Sequence, residues 1–423
     1  MIDNLLKLGK ENDINIEVFT SKTKEVAIET LNDTLMNFNI DNSVGYNIKA
    51  IYNGKSVNIS CESLDNPIEI IENIKKNAVI IDNTNSNRLA ENDYNQDERK
   101  VRDIDFKQIK ENLLSLNNLK EKYSFLVNIN SIVDYGYFEK RIDNLDHHLN
   151  DSYDFFQIMV SVSGKKDNVI KSKYVSLYVK DFDFDKVLSE VNKEIVNLER
   201  EFDAVSVKTN KYKVILTNKV VNSLLVTMQD MFDSKSIYLK LSLLSNDLGK
   251  KIFSDKISIV EEPLKESFIV NRHFDFEGTL TYNKDIVKNG VFVTALNDLE
   301  YAIKTDSKPT GNASGTYNYH LVSGDKSYNE LVKLMNNGII INNVEGLHAG
   351  INHFTGDISL QAEGLLIENG KIKKALNTII LSTNIKELLN NVIAVGNDLR
   401  EFSSTSSAVS LLCDNITIAG NQE

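Results

Sequence analysis

Apolar residues recur along this chain with two periods, close to 3.6 and close to 2, which predict helices and strands respectively. Residues 2–10 read as a short helix, and Ile14–Thr20, Glu25–Leu31 and Val44–Tyr52 read as strands. Asn53-Gly54 is a strong hairpin signal, and the return strand Ser56–Cys61 places Val57, Ile59 and Cys61 on one face. Pro67 opens a helix with Ile68, Ile70, Ile71 and Ile74 near helical spacing. Residues 83–104 interrupt both periods with polar and charged side chains, which predicts an exposed loop. A helix over Phe106–Lys122 follows, then strands Ser124–Val133, Phe155–Ser163 and Val169–Val179. A helix over Asp185–Arg200 then carries Val187, Leu188, Val191, Ile195, Val196 and Leu198.

After Phe202 strands and hairpins dominate. Lys213–Leu216 is a strand, Asn218 is placed to cap a helix running to about Phe232, and Ile257–Val260 is a strand. Ile286–Lys288, the turn Asn289-Gly290 and Val291–Val293 form a second hairpin. Ser327 with Glu330 is a capping box and Gly338 suits the position after the helix end, so Tyr328–Asn336 reads as helical. Asn384 with Glu387 starts another helix, read to Ile393. These elements imply an α+β fold of two domains, a mixed domain over 1–205 and a strand-rich one over 206–423.

The stretch Gly346–Gly370, GLHAGINHFTGDISLQAEGLLIENG, holds five of the nineteen glycines and two of the six histidines. It reads as a loop to Gly356. A half-buried strand follows, with Ile358, Leu360 and Ala362 on one face, and it turns at Asn369-Gly370. A loop of glycines and histidines mounted on a rigid hairpin is a natural place for a binding site; glycines serving only the turns are the plainer alternative.

Composition narrows the function. The formal net charge is −12 and no basic cluster is interleaved with aromatics, which argues against a nucleic-acid partner. No apolar run is long enough to span a membrane, and the first residues turn polar too soon for a signal peptide. Cys61 and Cys413 form no metal or redox motif, and two isolated cysteines suit a reducing, cytoplasmic compartment.

Candidate chemistry is sparse. His273, Asp275 and Glu277 alternate and would share one strand face, as metal ligands or simply as the polar face of a strand with Phe274 and Phe276 behind it. His348 and His353, with Asp357 nearby, are candidate contacts to a peptide or partner, or surface histidines. His147-His148 belongs to a polar connection. The serine-rich turn Ser403–Ser407 has no neighbouring histidine, and no nucleophile elbow, phosphate loop, dinucleotide fingerprint or HExxH is present.

The segments GLHAGINHFTGDISLQAEGLLIENGKI, LSTNIKELLNNVIAVGNDL and LLCDNITIAG resemble the TldD/PmbA family of zinc-dependent peptidases and their relatives, also called modulators of DNA gyrase. SKSIYLKLSLLSNDLGKKIFSDKISIVEEPL and FDFEGTLTYNKDIVKNGVFVTALNDLEYA are similar to further family segments, as are INIEVFTSKTKEVAIETLND and VGYNIKAIYNGKSVNIS near the start. The resemblance covers most of the chain and is strongest from about residue 212.

In the active TldD-type subunit, the resemblance implies, a helix carries His-Glu-x-x-x-His; its histidines hold zinc with a later cysteine, and its glutamate is the general base. Here Val226 and Met231 stand at the histidine positions and Thr227 at the glutamate position. None can do that work, and Cys413 lies outside the family's ligand context. The resemblance therefore points to the PmbA/TldE branch, with no catalytic and no metal-ligating residue in this chain. Zinc is expected in a TldD-type HExxxH-bearing partner, the two forming a cytoplasmic heterodimer that acts on unfolded or short peptides. A homodimeric peptide-binding or scaffold protein is the alternative. The peptide-cleft or partner contacts expected are His348, Asn352, His353, Thr355, Asp357, Asp275 and Glu277.

Overall fold

The computed structural model describes residues 1–82, 87–96, 101–313 and 315–421. Helices and strands are mixed through the chain, as the two periods imply. The first half is organised on one seven-stranded sheet: β1 (Asn15–Leu31), β2 (Thr34–Tyr52), β3 (Lys55–Cys61), β4 (Tyr94–Asn95), β5 (Leu126–Asp143), β6 (His148–Lys166) and β7 (Val169–Val179). The order is β3-β2-β1-β5-β6, with β4 and β7 pairing different lengths of β6.

Several strands are longer than their hydrophobic pattern. Residues 14–20 and 25–31, read as two strands, form one, because β1 pairs with β2 on one edge and β5 on the other along residues 18–31. The intervening Ser21–Glu25 are half-exposed, so the ladder, not burial, holds them extended. β2, β5 and β6 outrun their patterns in the same way, and residues 34–44 of β2 are all exposed, Met36, Phe38 and Ile40 included.

Helices α1 (Ile2–Glu11) and α2 (Pro67–Ile80) cover one end of the sheet; α3 (Phe106–Ser115), the short α4 (Leu119–Lys122) and α5 (Phe184–Glu201) cover the other. The single helix read over 106–122 is thus two, joined by a 3₁₀ turn at Leu116–Asn118. α5 starts on Asp183, whose carboxylate accepts from Lys186 N, and buries Val187, Val191, Ile195 and Leu198.

The second half contains β8 (Asn210–Leu216), β9 (Ile259–Glu261), β10 (Lys284–Lys288), β11 (Val291–Phe292), β12 (Tyr319–Leu321), β13 (Gly338–Glu345), β14 (Asp357–Glu368), β15 (Lys371–Asn384), β16 (Val392–Val395), β17 (Arg400–Glu401), β18 (Ser407–Ala408) and β19 (Leu411–Ala419). β15 pairs with both β14 and β19, so β15-β14-β13-β8-β19 closes into a ring, and β16 adds to the free part of β19. Residues 214–216 of β8, 339–341 of β13 and 411–413 of β19 are continuously apolar and buried because both faces are covered there. Val214, Leu216, Ile339, Ile341, Leu411 and Cys413 share one core, and the alternate residues Ile215, Ile340 and Leu412 share a second with α9.

The helices here are α6 (Asn218–Met228), α7 (Ser234–Tyr238), α8 (Leu299–Lys304), α9 (Tyr328–Met335), α10 (Leu347–Gly350) and α11 (Ile385–Asn390). The capping box at Ser327 forms. The residue that leaves the helix with positive φ is Asn336 (φ 59), however, and not Gly338. Gly338 instead begins β13, where a Cβ would come within 2.3 Å of the Lys213 carbonyl oxygen. α11 ends at Asn390 rather than Ile393, because Val392–Val395 is claimed by β19. Three of the four Asn-Gly pairs turn with both residues at positive φ, at Asn53-Gly54, Asn289-Gly290 and Asn369-Gly370; the fourth, Asn337-Gly338, leads into β13 without it.

The segment read as an exposed loop over 83–104 is partly packed. Residues 83–86 and 97–100 lie outside the described residues. Ala90, however, is buried with Phe19, Ile142, Leu149 and Phe274, and Arg102 pairs with Asp154 and Asp181. Short polar stretches conceal such anchors, since one alanine gives no period.

Candidate functional site

α6 is the helix where the family resemblance places zinc chemistry. Thr217 is its N-cap, and Asn218 lies inside the helix with its amide donating to the Asp398 carbonyl at 3.1 Å, which corrects the expected cap by one residue. The α-helix ends at Met228 and a 3₁₀ turn carries the chain through Met231, so the stretch read to Phe232 changes geometry at the motif itself.

Val226 is 44% exposed whereas Met231 is buried in the main core, so the two positions do not face one space. The Thr227 hydroxyl donates back to the Ser223 carbonyl at 2.9 Å. An isopropyl group, a core thioether and a hydroxyl bonded to its own helix offer neither a zinc-binding pair nor a base. Cys413 is fully buried in β19, and burial pushes its thiol up to about 12, which leaves it a core residue. Among the described residues, no group of three His, Cys, Asp or Glu side chains is placed to hold a metal.

The glycine- and histidine-bearing loop connects β13 to β14. Gly346 takes φ 78 and α10 follows, packed against α6. Gly350 passes so close to β14 that a Cβ would meet the Ser359 carbonyl oxygen at 2.5 Å. Asn352 then organises the tip, its Oδ1 accepting from Phe354 N (2.9 Å) and Thr355 N (3.1 Å). The Thr355 hydroxyl donates to Asp357 (2.6 Å), and the Asn384 amide donates both to the Thr355 carbonyl (2.8 Å) and to Asp357 (3.0 Å). These bonds from the Thr355 hydroxyl and the Asn384 amide hold the Asp357 carboxyl below its ordinary range.

The loop is therefore a braced platform rather than a slack connection. His348 is exposed, His353 is half-buried with Nδ1 shielded and unpartnered, and Phe354 is 60% exposed. Beside it run exposed Leu239 and Leu241, followed by Leu243 against Gly356. Val226, also exposed, belongs to α6, the helix that α10 touches. Phe354, Leu239 and Leu241 escaped the pattern reading because an isolated apolar residue in a polar stretch carries no period.

His273, Asp275 and Glu277 do not share a strand face. They enter and form a turn, closed by Gly278 N to the Asp275 carbonyl at 3.2 Å. Asp275 is 2% exposed, and its carboxylate accepts from the backbone of Glu277, Thr279 and Ala313 at 2.9–3.0 Å. Burial raises its pKa against those bonds. Glu277 accepts from Leu299 N at 2.9 Å, and burial raises its pKa too. His273 turns to Asp151 of β6, with Nδ1 at 3.2 Å, and stacks on Tyr94. The triplet thus serves the junction between the two halves. Gly278 (φ 72) lies against Ala90, and Asn92 donates to its carbonyl at 3.2 Å. The paired histidines sit at the start of β6: His147 is 3.2 Å from Asp93 and His148 is 2.6 Å from Asp143.

Comparison with known proteins agrees with this architecture. Residues 209–420 match the model of the PmbA/TldA metallopeptidase C-terminal domain. The chain is 26% identical over 450 aligned positions to a metalloprotease PmbA homolog of Buchnera aphidicola, covering 99% of this chain and 96% of that one. Its fold is that of a Thermotoga maritima protein described as a modulator of DNA gyrase (TM-score 0.89, 24% identity, 99% of both chains). It is also that of TldE from Thermococcus kodakarensis (TM-score 0.85, 16% identity, 99% of this chain and 100% of that one). The matched domain, spanning the barrel, α6 and the braced loop, makes this chain a member of the PmbA/TldD metallopeptidase family.

Proposed function

We propose that this chain is a PmbA/TldE-like subunit without zinc chemistry of its own, which pairs in the cytoplasm with a TldD-type HExxxH-bearing subunit. Together they would act on unfolded or short peptides. The observation that carries this reading is the state of α6: Val226, Thr227 and Met231 occupy the motif positions, and only Val226 among them is well exposed. The partner then supplies zinc and the general base. This chain supplies a wall of the peptide cleft, with His348, Asn352, His353, Thr355 and Asp357 on the braced loop and Phe354 and Val226 beside them as contacts. Exposed apolar side chains such as Phe354 beside the loop's polar groups suit extended peptides of varied sequence. Asp275 and Glu277 would act from behind, holding the turn that faces the first half.

Co-expression with an HExxxH-bearing relative, followed by co-purification and a peptide-cleavage assay, tests the reading. The expected result is a complex whose cleavage depends on both chains; failure to associate or to alter cleavage overturns it. The purified single chain should hold far less than one zinc per molecule, with His348→Ala and His353→Ala leaving metal content unchanged. Stoichiometric zinc in this chain alone would contradict the proposal.

A further inference from the structure

A cleft of about 810 Å³ lies at the opposite end of α6 from the motif positions, between α5 and the barrel. One wall is the polar face of α5, where Glu190, Lys193, Asn197 and Arg200 follow at helical spacing. The other wall is the start of α6 with Asn342 of β13 and Asp398. That second wall is tightly built. The Asp398 carboxylate accepts from Ser410 N (2.8 Å) and Ser410 Oγ (2.7 Å), and Ser410 Oγ in turn accepts from Asn218 N (3.1 Å).

Two polar atoms of this wall, Thr217 Oγ1 and Asn342 Oδ1, are shielded yet have no hydrogen-bond partner. Thr217 is the N-cap of α6 but makes no capping bond. Native proteins seldom leave such atoms unmatched, so a ligand that supplies N–H donors answers the mismatch. Charge points to the rest of the ligand. In a chain of net charge −12, the cleft is lined by five lysines and arginines against three acidic residues. Glu190 is already paired with Lys193, and Asp398 with Ser410. Arg200 donates to Asn197 Oδ1, and Lys219 rests over the Tyr174 ring at 4.0 Å; neither is paired with a carboxylate among the described residues.

We propose that this cleft binds the C-terminal end of a peptide. Its carboxylate is held between the walls that carry Arg200 and Lys219, its backbone N–H groups donate to Asn342 Oδ1 and Thr217 Oγ1, and its side chains lie on Tyr328, Ile340 and Leu365. A phosphate or other simple anion matches the cations but brings no N–H for Asn342 Oδ1, the unmatched carbonyl oxygen of that side chain. The ligand class agrees with the peptide reading above, yet this site lies away from the motif positions and its test needs no partner subunit.

Calorimetric titration of the full chain with N-acetyl-Ala-Ala-Leu-Ala as the free acid, and with the same peptide as its C-terminal amide, tests the inference. The free acid should bind about 10-fold more tightly than the amide, because only it offers a charge-assisted contact. Arg200→Gln and Lys219→Gln should each weaken the free acid about 5-fold or more with the melting temperature unchanged, since both side chains sit at the cleft surface. Equal affinity for acid and amide, no binding of either, or displacement by inorganic phosphate at the same concentration would each overturn the inference. The co-purification result with an HExxxH-bearing subunit is independent of all of these, so either proposal can fail alone.

Discussion

The Asp275 carboxylate accepts three backbone N–H groups from inside the fold. Asp275→Ala would strand those donors, and equilibrium unfolding in urea should show a loss of about 3 kcal/mol. Glu261 and Lys284 present a related case. They pair at 2.6 Å with almost no exposure, and Asn312 and Tyr317 N add bonds to the carboxylate. Lys284→Ala leaves a buried carboxylate without its cation and should cost about 3–5 kcal/mol, whereas Glu261→Gln with Lys284→Met should recover much of that loss. Glu401 supplies a pH test. Burial raises its pKa to about 6, against an ordinary value of 4.5, although its carboxylate accepts from Ile269 N at 3.0 Å. A carboxyl whose folded pKa lies above its unfolded one favours folding below the unfolded value, and that contribution is lost as pH rises through the folded value. Stability should therefore fall between pH 4.5 and about 6 by about 1 kcal/mol after allowance for solvent screening, and Glu401→Gln should abolish that slope. An unaltered slope in the variant would assign the effect to other groups.

At the scale of elements, the hairpins were legible because Asn-Gly is a local backbone preference, and Asn53-Gly54, Asn289-Gly290 and Asn369-Gly370 each sit where positive φ is used, whereas Asn337-Gly338 enters β13. Not all glycines act this way. Gly370 sits at φ 70 with open space where a Cβ would go, so Gly370→Ala should cost about 1 kcal/mol. Gly364 lies where β13 bulges against β14, and a Cβ would meet the Ile340 carbonyl oxygen at 2.0 Å. Gly364→Ala must displace backbone, so thermal melts should place it well below Gly370→Ala. α6 shows what periodicity misses. Its apolar face was plain, but the passage into a 3₁₀ turn at Gln229, and hence the divergence of Val226 from Met231, depends on packing around Phe232 and Phe292.

The two halves meet through contacts between residues far apart in the chain. Lys173 of β7 is nearly buried and pairs with Glu201 at the end of α5 and, at 2.6 Å, with Glu363 of β14. Arg272 donates to the Tyr153 hydroxyl, His273 binds Asp151, and Arg400 donates to the Ser176 carbonyl at 2.6 Å. Lys173→Ala would leave two carboxylates facing each other. It should lower stability by about 3 kcal/mol, with the two halves beginning to melt in separate calorimetric transitions. A single transition, shifted by a small amount, would show that the other contacts couple the halves without it.

By itself the sequence determined the α+β class, most of the helices, most of the Asn-Gly turns, the family resemblance and the identity of the side chains at 226–231, with no histidine or glutamate among them. Each of these depends on local period, turn chemistry or the identity of a side chain. Tertiary structure decided what depends on neighbours distant in the chain. Ladder partners extended β1 and β5 beyond their apolar patterns, β19 took Val392 and Ile393 from a helix read to Ile393, and β15 closed the barrel. Burial turned Asp275 from a candidate ligand into the anchor of a turn, and packing of α5 against the barrel created a cleft whose unpaired atoms come from residues with no shared motif. Hydrogen-bond satisfaction and burial are properties of a place in the fold, and no single stretch of sequence encodes that place.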